Sequence, residues 1–166
     1  MQADRETHYL KAYDRYTEAF VDTFSSFDKA GFDRPRAAGK WSPGQAVEHL
    51  LRVERGTLRI LRGPLATEPG RVVDAACARL DEVLRDGKTP LTTGAAYDPE
   101  PGHRNRVELL DDFVDLRADI RVAAEFADDF GAVAKAHAHP AFGELTVCEW
   151  LYFTAVHGER HRRQFA

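Results

Sequence analysis

Apolar positions recur along this chain at steps of three and four residues over nearly its whole length, the spacing that puts side chains on one face of an α-helix. Tyr9, Tyr13, Tyr16, Phe20, Phe24 and Phe27 make the first stripe, which Gly31 and Pro35 close. A second helix announces its start with Ser42, a natural N-cap, and with Pro43 at the first helical position, where the missing N–H is no loss. It runs to Leu61-Arg62 and stops at Gly63-Pro64. A third reads from about Arg71 to Arg85, with Val72, Val73, Ala76, Leu80, Val83 and Leu84 apolar. Gly87 and Pro90 end it, and a loop through Gly94, Pro99, Pro101 and Gly102 follows.

The fourth helix starts at Asn105, with Glu108 as the reciprocal half of a capping box. Its predicted buried stripe is Val107, Leu110, Phe113, Val114, Ile120 and Ala124, and Gly131 is its predicted end. From Ala132 to Leu145 the chain reads as an irregular connection, interrupted by His139-Pro140 and Gly143. Thr146 and Glu149 form another capping box, after which Trp150, Phe153, His157, His161 and Gln164 share one face of a last helix. Strand alternation is nearly absent. The pattern predicts an all-α protein, a four-helix bundle with short additional helical segments.

Composition narrows the class of function. The 166 residues suit one domain spanning positions 1–166, with no repeat and no linker-like tract. Hydrophobic residues at 43% and charged residues at 30% match a soluble globular domain. A net charge of −4 offers no global positive field, so neither nucleic acid nor a membrane surface is an expected partner. Cys77 and Cys148 are too few for a disulfide framework and do not make a CxxC pair. The polar start, Met1-Gln2-Ala3-Asp4-Arg5-Glu6, has no secretory character, and no apolar run is long enough to span a membrane. A cytoplasmic location is the expectation.

The histidines carry the candidate chemistry. His157 and His161 are four residues apart, which turns a helix by about 400° and sends both imidazoles to one side, a turn apart. That spacing suits two ligands of one metal ion, and it also suits a solvated face or a hydrogen-bonded core pair. The segment His157-Gly158-Glu159-Arg160-His161 is not the HExxH of zinc proteases, since Glu159 stands about 200° around the helix from His157. His49 sits in a stripe of small and apolar residues, Ser42, Ala46, His49, Val53, Gly56 and Ile60. A buried imidazole there needs a partner, which could be a carbonyl, a carboxylate or a metal.

Trp41-Ser42-Pro43 with His49, then Gly143-Glu144-Leu145-Thr146, Glu149-Trp150-Leu151, His157-x-x-x-His161 and Gln164, resemble the DinB/YfiT-like superfamily. The likeness spans essentially the whole chain in helix order and length, with its specificity in those two segments. It implies a four-helix bundle whose metal ligands are His49, His157 and His161, with nickel or zinc as the divalent ion. It further implies a small-molecule substrate, with a low-molecular-weight thiol such as bacillithiol or mycothiol as one class, and a homodimer by analogy.

The other histidines read as surface groups. His137 and His139 flank Ala138 on a loop, and His8 and His103 stand alone. Cys148, in the first turn of the last helix, reads as structural because no base is recognisable beside it. Arg160, Arg162 and Arg163 complement the negative end of that helix. No protein nucleophile or carboxylate base stands at motif spacing, so no catalytic residue is assigned. Three imidazoles leave an ion an open position. Two chemistries follow from it: thiol transfer to a small electrophile, the leading expectation, and hydrolysis by metal-bound hydroxide. A metal-binding stress protein without catalysis is the third expectation.

Overall fold

A computed structural model of the chain describes residues 2–68, 73–85, 95–99, 105–127 and 129–166. The helices are α1 (Gln2–Ser25), α2 (Lys29–Asp33), α3 (Pro43–Leu61), α4 (Val73–Arg85), α5 (Arg106–Glu125) and α6 (Val147–Arg162), with one 3₁₀ turn at Ala95–Tyr97. Among the described residues there is no strand; isolated bridges tie Val133 to Ala66 and to Thr146, and His139 to Gly143. No helix among them is long and apolar enough to cross a membrane.

Four helices close a ring: α1 packs on α6, α6 on α3, α3 on α5 and α5 on α1. This is the four-helix bundle that the apolar pattern predicts. Tyr13, Phe20 and Phe24 of α1 enter its core, and Phe20 stacks on Phe113 of α5 with ring centroids 4.4 Å apart. α4 lies against α6, where the Tyr152 hydroxyl donates to Asp81 at 2.7 Å and Arg160 donates to the Val83 carbonyl at 3.0 Å. Helix α6 is therefore not one-sided: every residue from Val147 through Glu159 is buried, because helices cover it on several sides.

The caps that start α3 and α6 form as expected. Ser42 Oγ accepts from the Gln45 N–H at 3.1 Å, and Gln45 Oε1 accepts from the Ser42 N–H at 3.0 Å, a full capping box. Thr146 and Glu149 make the second, with N–H···O distances of 3.1 and 2.7 Å. Asn105 Oδ1 accepts from the Glu108 N–H at 3.0 Å, but the reciprocal bond from the Glu108 side chain that a capping box requires is not formed, so α5 starts with a one-way N-cap.

Several expectations need correction. α1 ends at Ser25, and Phe27 falls in the turn before α2. Thr23 and Ser26 hydroxyls donate to carbonyls of the last turns, and Asp28 then caps α2 by accepting from the Gly31 N–H at 2.7 Å. α5 stops at Glu125 rather than near Gly131, where Asp129 Oδ1 takes the Gly131 N–H at 2.8 Å into a turn instead. Its buried face is Leu109, Leu110, Phe113, Leu116, Arg117, Ile120 and Ala124, whereas Val107 and Val114 are exposed. Both valines lie about 100° around the helix from the centre of that face. Val53, Gly56 and Ile60 of the α3 stripe are half-buried. For the third helix, Arg71, Val72, Gly87, Pro90, Gly94, Pro101 and Gly102 lie outside the described residues. The connection from Ala132 to Leu145 is irregular as expected, and Gly143 adopts φ +75, which favours glycine.

Candidate metal centre

His49 stands two turns into α3, and His157 and His161 occupy successive turns of α6, the helix packed against it. All three are buried, and one ring nitrogen from each lies within 4.8 Å of the others. The Nε2 atoms of His157 and His161 are 3.2 Å apart. Ligand nitrogens about 2.1 Å from one ion stand roughly 3–4 Å from each other, so the α6 pair already has ligand spacing and His49 needs a shift on the order of 1 Å.

The orientation of His49 is set from outside. Its Nδ1 lies 2.8 Å from the Tyr97 carbonyl, an acceptor only, so Nδ1 carries the proton and donates it. Nε2 is thereby left as a lone-pair nitrogen, buried and without a hydrogen-bond partner. Nδ1 of His157 and Nδ1 of His161 are likewise buried without one. One ring nitrogen from each histidine converges from two helices, the α6 pair meeting through Nε2, and such a set of imidazole nitrogens fits a divalent ion.

Electrostatics keeps the rings in their ligating form. Burial holds His157 well below the ordinary histidine value, helped by His161, His49 and the cationic Arg117. Burial pushes His161 down to about 3, aided by His49 and Arg160 and only partly opposed by the Gln164 side chain. For His49 burial again dominates, and the Tyr97 carbonyl and Asp98 only partly oppose it. Neutral imidazole is the species that binds metal.

Aromatic rings flank the group. Trp41 lies 4.8 Å from the His49 ring and is nearly parallel to His161 at 5.9 Å, while Phe153 stacks on His157 at 5.3 Å. The sequence marks Trp41 and Phe153 as motif or stripe residues, and their contacts with the imidazoles come from the structure. Tyr97, whose backbone orients His49, has no sequence signal, because a carbonyl acts without regard to side-chain type.

The remaining candidates stay apart from the trio. His8 is exposed, and His103 lies outside the described residues. His137 is exposed as expected, but His139 is half-buried among Phe142, Trp150 and Phe153, and that burial pushes its pKa down to about 4. Cys148 is buried in the first turn of α6. Glu159 faces away from the imidazoles and pairs with Arg162 at 2.7 Å and Arg163 at 2.8 Å. Burial works against its charge, but these hydrogen bonds prevail and hold its carboxyl below the usual value.

A second buried polar cluster escapes the apolar-pattern reading. Glu54 and Arg117 form an ion pair at 2.6 Å, with exposures of 0% and 2%. The signal was present: Glu54 interrupts the stripe Val47, Leu50, Leu51, Leu61 on α3, and Arg117 interrupts that of α5. A charge inside a buried stripe calls for an opposite charge on a facing helix.

The family model described as the DinB superfamily matches residues 12–165. The uncharacterized protein YuaE of Bacillus subtilis (strain 168) is 29% identical over 161 residues, covering 90% of this chain and 91% of that protein. No solved structure matches significantly. The chain belongs to the DinB superfamily.

Proposed function

We propose that this member of the DinB superfamily is a metal-dependent enzyme transferring a low-molecular-weight thiol to a small electrophile, with one nickel or zinc ion held by His49, His157 and His161. The reading is carried by the buried trio itself: three neutral imidazoles converge, and among the described residues no fourth histidine, cysteine or carboxylate joins the group. Structural sites are usually closed by a fourth protein ligand, whereas three-ligand sites keep a position for substrate. When bound, the ion would supply Lewis acidity, lowering the pKa of a thiol or water brought to it.

The chain's own residues do the rest. The Tyr97 carbonyl fixes the His49 tautomer, and Trp41 and Phe153 shield the flanks of the imidazoles from water. Cys148 lies nine residues before His157 on the same helix, about 13 Å along its axis, too far to serve as nucleophile. In this reading the sulfur comes with the substrate. In the net reaction the thiol S–H bond and the bond from carbon to its leaving group break, an S–C bond forms, and the proton departs with the leaving group.

The test is turnover by metal-loaded protein given candidate thiols and a model electrophile. Product formation that requires both the thiol and His49 is expected. Turnover unchanged in His49→Ala contradicts the proposal, and turnover without thiol points to hydrolysis instead.

A further inference from the structure

We infer that Glu54 and Arg117 are positioning residues for the metal centre: their buried ion pair pins the turn of α6 that carries His157 to the helix that carries His49. The inference rests on the three-histidine metal reading above.

The geometry is that of a crosslink. Arg117 Nε donates to Glu54 Oε2 at 2.6 Å and Nη2 donates to Oε1 at 2.7 Å, a two-pronged fit that lysine could not reproduce. Nη2 also donates to the Thr154 carbonyl of α6 at 2.9 Å, and Nη1 to Thr17 Oγ1 of α1 at 3.1 Å. The Tyr13 hydroxyl of α1 donates to the Arg117 carbonyl at 3.0 Å. One guanidinium on α5 thus touches all three other helices of the ring. Its contacts fall beside the ligands: Glu54 is five residues beyond His49, and Thr154 is three residues before His157.

Gly158 shows how close the approach is. A Cβ there would stand 2.6 Å from Arg117 Nη2, so the absence of a side chain next to His157 is what lets the guanidinium reach the α6 backbone.

Apolar packing tolerates small slides of one helix on another, whereas metal ligation demands nitrogens placed to within about 0.2 Å. Directional hydrogen bonds to a helix carbonyl and to a carboxylate resist such slides, leaving side-chain adjustment to bring His49 onto the ion. The pair has an electrostatic role as well. Burial alone would lower the Arg117 pKa, but Glu54 more than offsets it, so a full positive charge stays near the imidazoles. Glu54 cancels most of the repulsion that this charge would exert on a divalent cation.

The experiment is cobalt(II) titration of the full chain, followed by visible absorption, with thermal unfolding of the metal-free proteins alongside. Two variants are compared with wild type: Gly158→Ala, which keeps both charges, and the double variant Glu54→Leu/Arg117→Met, which leaves no buried charge unpaired. The double variant is expected to unfold cooperatively near the wild-type temperature because the apolar pair packs, whereas Gly158→Ala is expected to unfold cooperatively at a lower temperature, because the new Cβ displaces a buried guanidinium from its acceptor. Both are expected to bind cobalt roughly 10- to 100-fold more weakly, the effect of removing residues that orient ligands, with a shifted d–d band. Wild-type affinity and band in both variants would overturn the positioning role while leaving the metal reading intact. Failure of wild type itself to bind cobalt would overturn both.

Discussion

Two polar clusters lie within a few turns of each other inside the same bundle, and they are built on opposite terms. Around Arg117 each guanidinium nitrogen donates to an acceptor: Glu54 twice, Thr154 and Thr17. Around His49, His157 and His161, three buried ring nitrogens have no partner, and two others face each other at 3.2 Å. A buried polar group costs stability unless it is paired. The first cluster meets that requirement internally and so belongs to the architecture. The second leaves His49 Nε2 unpaired near the facing Nε2 atoms of the α6 histidines, an arrangement that a divalent ion would satisfy.

The contrast can be broken in four ways. The largest effect is expected from Arg117→Met alone, which strands the Glu54 carboxylate in the core. A loss of about 3–5 kcal/mol is expected in urea unfolding, and a loss under 1 kcal/mol would show that the pair is not essential to the architecture. Acidification comes next. In the metal-free protein the histidine pKa values are depressed by burial first, to about 3 for His161. Unfolded histidines take up protons near pH 6.5 and the folded ones do not, so stability is complete above that pH. It declines as pH falls toward the folded values, by up to about 1.4 kcal/mol per pH unit for each such histidine. A flat stability profile between pH 7 and pH 5 contradicts burial of neutral rings.

His157→Leu/His161→Leu reverses the usual sign of a core mutation. Removing orphaned nitrogens is expected to stabilise the metal-free protein by about 1 kcal/mol while abolishing metal binding, and to reduce the acid decline to what His49 and His139 still contribute. Calorimetry and metal titration together check it. The smallest effect is expected from His137→Ala: an exposed imidazole outside the trio should change metal affinity by less than about twofold.

Much of this was legible in the residues. Helix starts came through where side-chain oxygens cap the backbone, at Ser42, Asn105 and Thr146, since a cap is a local event three residues long. Helix ends were less legible. The stop of α1 depends on hydroxyls of Thr23 and Ser26 competing for carbonyls, and that of α5 precedes a turn around Asp129, neither of which shifts the apolar pattern. The face of α5 was misplaced toward Val107 and Val114 because Arg117, a charge, sits in the middle of the true one. Convergence of His49 with His157 and His161 joins positions about a hundred residues apart, and the residues alone left carbonyl, carboxylate and metal open as partners. In the structure the His49 Nδ1 is met by the Tyr97 carbonyl, while its Nε2 has no hydrogen-bond partner.

The central claim is that three imidazoles share one divalent ion. Anomalous-difference density from crystals grown with nickel or zinc tests it most directly. The account predicts a single peak about 2.0–2.1 Å from a ring nitrogen of each of His49, His157 and His161. A peak elsewhere, or one that His49 does not touch, contradicts it.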